Sequence, residues 1–102
     1  MIVRDIKQEL FEILGFVDSL RVFREVTGAM RKLQLQGDDG HVEVILIQSW
    51  EDEINVKDKK ALLFMVRSQE LYRTNFFDEA QKYEGLAVKY FLEEGEEKER
   101  QG

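Results

Sequence analysis

The stretch Ser19-Leu20-Arg21-Val22-Phe23-Arg24-Glu25-Val26-Thr27-Gly28 decides the fold. Read in steps of two, Leu20, Val22 and Val26 alternate with Arg21, Phe23 and Glu25 as in a strand. Read in steps of three and four, Val17, Leu20, Phe23, Val26, Met30 and Leu33 line one side of a long helix running to about residue 36. β-Branched and aromatic residues stand close together over 19–26, and Thr27-Gly28 makes a natural turn, so the expectation is a strand over 19–26.

The residues C-terminal to this stretch extend the strand pattern. In 30–36, Leu33 and Leu35 alternate with glutamines, and Gly37-Asp38-Asp39-Gly40 then leads into His41-Val42-Glu43-Val44-Ile45-Leu46-Ile47-Gln48. Two apolar runs joined by a four-residue Gly/Asp segment predict a β-hairpin. With the strand at 19–26 this closes a three-stranded antiparallel meander.

The flanks read as helices. Ile6, Leu10, Ile13, Leu14 and Val17 recur at steps of three and four, opposite Asp5, Lys7, Glu9 and Glu12, which predicts a helix over 3–14 with Gly15 as its stop. From Val56 to Arg73 the stripe Leu62, Met65, Val66, Gln69 and Tyr72 predicts a second helix. Asn75 breaks the period. Asp78 is placed to cap a third helix over 78–94, striped by Phe77, Ala80, Tyr83, Ala87 and Tyr90 and ended by Gly95. The expected fold class is therefore α+β: an N-terminal helix, a three-stranded antiparallel β-meander, then a C-terminal antiparallel pair of long helices. One domain is expected over 1–94, with a charged, frayed tail over 95–102.

Composition excludes several chemistries. The 102 residues include no Cys and one His, so a disulfide framework, a thiolate metal site, a cysteine nucleophile and a multi-histidine centre are all out of reach. Hydrophobic residues make up 43%, including seven Phe, enough to build a core rather than a disordered chain. The longest unbroken apolar run, Ala61 to Val66, falls far short of the ~20 residues that span a bilayer. Met1 to Lys7 is charged too early for a secretory signal, so a soluble cytoplasmic protein is expected, with no membrane association.

The net charge of -6 is uneven. Residues 37–56 hold six Asp/Glu and no Lys/Arg, and 93–102 hold five against two. Phosphate binding needs clustered Lys/Arg, so nucleic acid is an unfavoured partner; Lys57, Lys59 and Lys60, broken by Asp58, are the nearest approach to such a cluster.

No constellation of reactive groups emerges. Asp38 and Asp39 in the expected turn and Glu51, Asp52 and Glu53 beyond the strand would lie ~30 Å apart at opposite ends of the sheet, unable to share a cation. None of the serines and threonines sits in a glycine-flanked elbow, His41 follows a turn glycine, and no Gly-rich loop opens a helix. The expectation is no catalytic residue, no metal and no cofactor.

Two features point to partners. Trp50, at the exit of a strand beside Glu51, Asp52 and Glu53, either caps the core or offers an exposed anchor. Tyr83 and Tyr90 lie seven apart on one helix face, interleaved with Ala80 and Ala87, a pattern that lets another helix approach closely. Trp50, its three acidic neighbours and the two tyrosines form the candidate partner surface.

Residues 61–94 resemble one tetratricopeptide repeat at Phe64, Ser68, Leu71, Asn75, Phe77, Ala80 and Ala87, most closely over Asn75 to Ala80. The resemblance implies a helical hairpin. It departs from the family at Glu84, in the missing closing proline and in having no second copy, where such solenoids need about three. The expected order of helix, three strands and helix is also similar to a double-stranded-RNA-binding domain, with Lys57 to Ala61 at its basic helix start; the acidic balance contradicts an RNA role. The functional expectation is a non-catalytic protein–protein interaction or regulatory module, adaptor or chaperone-like, forming a homodimer or taking a protein partner. The alternatives are a nucleic-acid-associated or DNA-mimicking regulator, and a small carboxylate-based enzyme.

Overall fold

Four helices carry the architecture of the computed structural model, which describes residues 2–15, 18–37 and 47–92. A 3-10 turn, Val3–Ile6, runs into α1 (Lys7–Leu14); α2 is Ser19–Gly37, α3 is Val56–Arg73 and α4 is Phe77–Leu92. The expected N-terminal helix and the two C-terminal helices are present. The meander is not, because the segments read as the strands 19–26 and 30–36 are both inside α2, and among the described residues the fold is all-helical rather than α+β. Residues 38–46, which include most of the expected turn and third strand, lie outside the described residues, while Ile47 and Gln48 at that strand's end belong to no sheet. The likeness to a double-stranded-RNA-binding domain falls with the strands that carried it.

The helical reading wins at α2 because tertiary burial outweighs the small cost of β-branched residues in a helix. Val22, Val26, Ala29, Met30 and Leu33 are all buried, at steps of three and four apart from the adjacent pair Ala29–Met30. The two leucines that looked like strand alternation separate cleanly: Leu33 is 0% exposed and Leu35 is 74% exposed, as expected for residues about 200° apart on a helix. Asp18 starts the helix, its carboxylate accepting the Arg21 backbone N–H at 2.8 Å.

The other ends have equally local causes. α1 stops at Gly15, whose φ of 79° is open to glycine at little cost. Asn55 caps α3 by accepting the Asp58 N–H at 2.7 Å. Its C-terminus closes as a Schellman turn, with the Phe76 N–H donating to the Leu71 carbonyl and the Asn75 N–H to that of Tyr72, and Asn75 left-handed at φ 70°. Asp78, expected as a cap, lies inside the first turn of α4, where with Glu79 it faces the positive end of the helix dipole. Gly95 and the tail lie outside the described residues.

α3 is the hub. It packs most extensively on α4, and α2 and α1 also lean on it. Val3, Ile6 and Leu10 from the N-terminal segment, Ile47 and Ile54 from the connecting segment, Leu62, Met65 and Val66 from α3 and Ala87 and Phe91 from α4 join the α2 stripe in one core. Ala80, also buried, lets α3 approach α4 closely enough for the buried Ser68 hydroxyl to donate to the Ala80 carbonyl at 2.7 Å. The helical hairpin implied by the tetratricopeptide resemblance is thus formed. Polar contacts fix α2 across it: Arg73 bonds Glu25 at 2.7 Å, and Gln69 donates to the Glu25 carboxylate at 3.1 Å. No helix among the described residues is long and apolar enough to cross a membrane.

Candidate functional site

The six candidate residues fall into two groups with different fates. The first ties down the N-terminus. Arg4 N–H donates to the Trp50 carbonyl and Val3 N–H to that of Asp52, both at 2.7 Å, and Ile2 forms an antiparallel bridge with Glu53. Arg4 also pairs with Glu51 at 2.7 Å. The Asp52 carboxylate accepts the Gln48 and Ser49 N–H groups at 2.6 and 3.1 Å, shaping the bend. Trp50 is half-buried on the core, edge-on to Phe23 with ring centroids 5.2 Å apart, and the Lys7 ammonium lies 4.9 Å from its ring centroid. Trp50 thus packs against the core while part of it stays exposed.

The second group builds a surface. Tyr83 and Tyr90 both stack on Phe64 of α3, with centroids 5.8 and 5.6 Å apart and ring planes within 23° and 17° of parallel. The arrangement follows from pitch: seven residues rise ~10.5 Å along α4, which leaves room for one ring between the two tyrosines. Cations flank the ladder, the Lys60 ammonium 5.5 Å from the Tyr90 ring and the Arg67 guanidinium 5.6 Å from that of Tyr83.

Beside this ladder a groove of about 380 Å³ opens between α1 and α3. Ile13, Leu63 and Phe64 supply its apolar lining. Glu9 and Glu12 form an acidic rim on α1, and Lys60 and Arg67 a basic rim on α3. No ion pair joins the two rims among the described residues. Trp50 meets Phe23 and Lys7, whereas the tyrosines meet Phe64, Lys60 and Arg67, so the two groups share none of these ring contacts.

Sequence reasoning missed Glu9, Glu12, Ile13, Lys60, Leu63, Phe64 and Arg67 as site residues. A signal was present: Lys60 and Tyr90 stand fifteen residues either side of Asn75, and Arg67 and Tyr83 stand eight either side. A helical hairpin turning at Asn75 brings both pairs level.

A second polar junction lies where α2, α3 and α4 meet. The Tyr72 hydroxyl donates to Glu84 at 2.7 Å, Gln36 also donates to Glu84, and the Lys32 ammonium sits 4.8 Å from the Tyr72 ring centroid. Burial resists ionisation of Glu84, but the hydrogen bonds from Tyr72 and Gln36 and the nearby Lys32 charge outweigh it and hold the carboxyl below its ordinary range. The bond to Glu84, burial and the carboxylate charge push the Tyr72 hydroxyl up. This junction joins three helices.

No group of three or more His, Cys, Asp or Glu that could hold a metal ion occurs among the described residues. His41, Asp38 and Asp39 lie outside them. Comparison with protein-family models, with curated proteins and with solved structures finds no match to this chain.

Proposed function

We propose that the chain is a non-catalytic protein–protein interaction module of adaptor or regulatory type, a cytoplasmic protein binding through the groove of α1 and α3 and the aromatic ladder beside it. One observation carries this reading: an apolar lining of Ile13, Leu63 and Phe64 shares its groove with acids on α1 and bases on α3 that leave each other unpaired. Such charges are available to an incoming surface at no cost in broken ion pairs. The composition agrees, since Tyr and Arg are enriched among the residues that dominate binding energy, and Tyr83, Tyr90 and Arg67 stand together here. A rim of each sign also disfavours a polyanion, which weighs against the nucleic-acid reading.

Site-specific photocrosslinking in cells tests the proposal. A photoreactive residue at Leu63 is expected to give a discrete protein adduct, and one at the exposed Gln81 of α4 to give none. Equal labelling from both positions, or none from Leu63, would refute it.

A further inference from the structure

The arrangement of charges on the groove face is complementary to itself. The acids Glu9 and Glu12 stand on α1 and the bases Lys60 and Arg67 on α3, with Ile13, Leu63 and Phe64 lining the same groove. None of the four charged residues has an ion-pair partner among the described residues, whereas Arg4, Lys57 and Arg73 each have one. A ligand of single sign is attracted to one rim and repelled by the other. The matching surface must set base opposite the acids of α1 and acid opposite the bases of α3. A second copy presents that arrangement after a half-turn about an axis lying in the face and running along the groove.

We infer that this groove is the contact face of an isologous homodimer, in which Glu9 and Glu12 of each copy meet Lys60 and Arg67 of the other across the paired apolar linings. The inference rests on the interaction-module reading and names its partner. The aromatic ladder suits the role: Lys60 and Arg67 are already held over Tyr90 and Tyr83, so less side-chain freedom is lost when they engage.

Sedimentation equilibrium of the full chain, from about 5 to 500 µM at low and high salt, tests it with two charge-reversed variants, E9K/E12K and K60E/R67E. All four side chains are exposed, so far-ultraviolet circular dichroism is expected to match the native protein. The native chain is expected to dimerise and to dissociate as salt rises. Each variant alone, its face now of one sign, is expected to self-associate at least about tenfold more weakly. An equimolar mixture of the two is expected to form a heterodimer, because every reversed charge then faces its opposite. A native chain that stays a 12.1 kDa monomer at 500 µM, or variants that dimerise as the native chain does, would overturn the inference. A monomeric native chain whose Leu63 crosslinks to a different protein would sink the dimer and leave the interaction-module reading standing. A monomer with no Leu63 adduct would sink both.

Discussion

Tyr72→Phe removes a single oxygen from the junction of three helices, and its effect on stability is expected to depend on pH with a definite sign. The ring stays, so the Lys32 ammonium at 4.8 Å and the Phe77 ring at 6.3 Å keep their contacts. The 2.7 Å bond to Glu84 is lost. A hydrogen bond to a charged acceptor contributes about 1.5–3 kcal/mol when well buried. Glu84 is only half-buried, so water replaces part of the loss and about 1 kcal/mol is expected at pH 7. That corresponds to a fall in Tm of roughly 4–8 °C for a domain of this size.

Glu84 titrates below its ordinary value near 4.5, so the unfolded chain binds the proton more readily. The stability it contributes is complete above that ordinary value and is lost as pH falls through the folded one. The deficit of Tyr72→Phe is therefore largest at neutral pH and shrinks by about half once Glu84 is protonated and the bond joins two neutral groups. At the alkaline end, Tyr72 titrates above its ordinary value near 10, so its contribution is complete below 10 and is lost as pH rises through the folded value; the variant lacks that limb. Urea melts followed by circular dichroism at pH 3, 5, 7 and 9 measure the acid limb. A deficit of equal size at pH 3 and pH 7, or none at pH 7, would refute the reasoning.

Three further substitutions probe the hairpin. Ser68→Val breaks the 2.7 Å bond to the Ala80 carbonyl and adds bulk where α3 and α4 meet, with an expected loss of about 2–4 kcal/mol in urea titration. Asn75→Gly is expected to leave Tm within a few degrees of native, whereas Asn75→Val, forced into a left-handed conformation at φ 70°, is expected to lower stability by about 1–2 kcal/mol. Phe64→Leu keeps an apolar side chain but abolishes both stacked pairs, costing about 1–3 kcal/mol, and a double-mutant cycle with Tyr83→Leu is expected to show a coupling of about 0.5–1.5 kcal/mol.

Three of the four helices are legible in the sequence because their apolar residues keep a helical period without competition. α2 is not, for a physical reason. Val22, Phe23 and Val26 favour a strand locally by amounts well under the free energy of burying the stripe Val22, Val26, Met30 and Leu33, and the burial depends on helices distant in sequence. Thr27-Gly28 misleads in the same way: Gly28 sits within α2, and the Thr27 hydroxyl simply bonds back to the Arg24 carbonyl at 3.0 Å. Asp18 was the missed clue, a capping residue one position before the true start. The site divides along similar lines. The seven-residue spacing of Tyr83 and Tyr90 marks the aromatic ladder, but the groove joins α1 to α3, and no local pattern relates Glu9 and Glu12 to residues some fifty positions later.

The clamp between Ile2–Arg4 and Trp50–Glu53 bears on how the molecule is made. The two halves of the clamp lie about fifty residues apart, so seating Ile2–Arg4 closes a long loop and costs more chain entropy than a local contact. The α3–α4 hairpin, which needs only nearby residues, closes soon after its own synthesis. Folding order is thus expected to follow sequence separation, the local pair of helices coming before the clamp that joins residues 2–4 to 50–53.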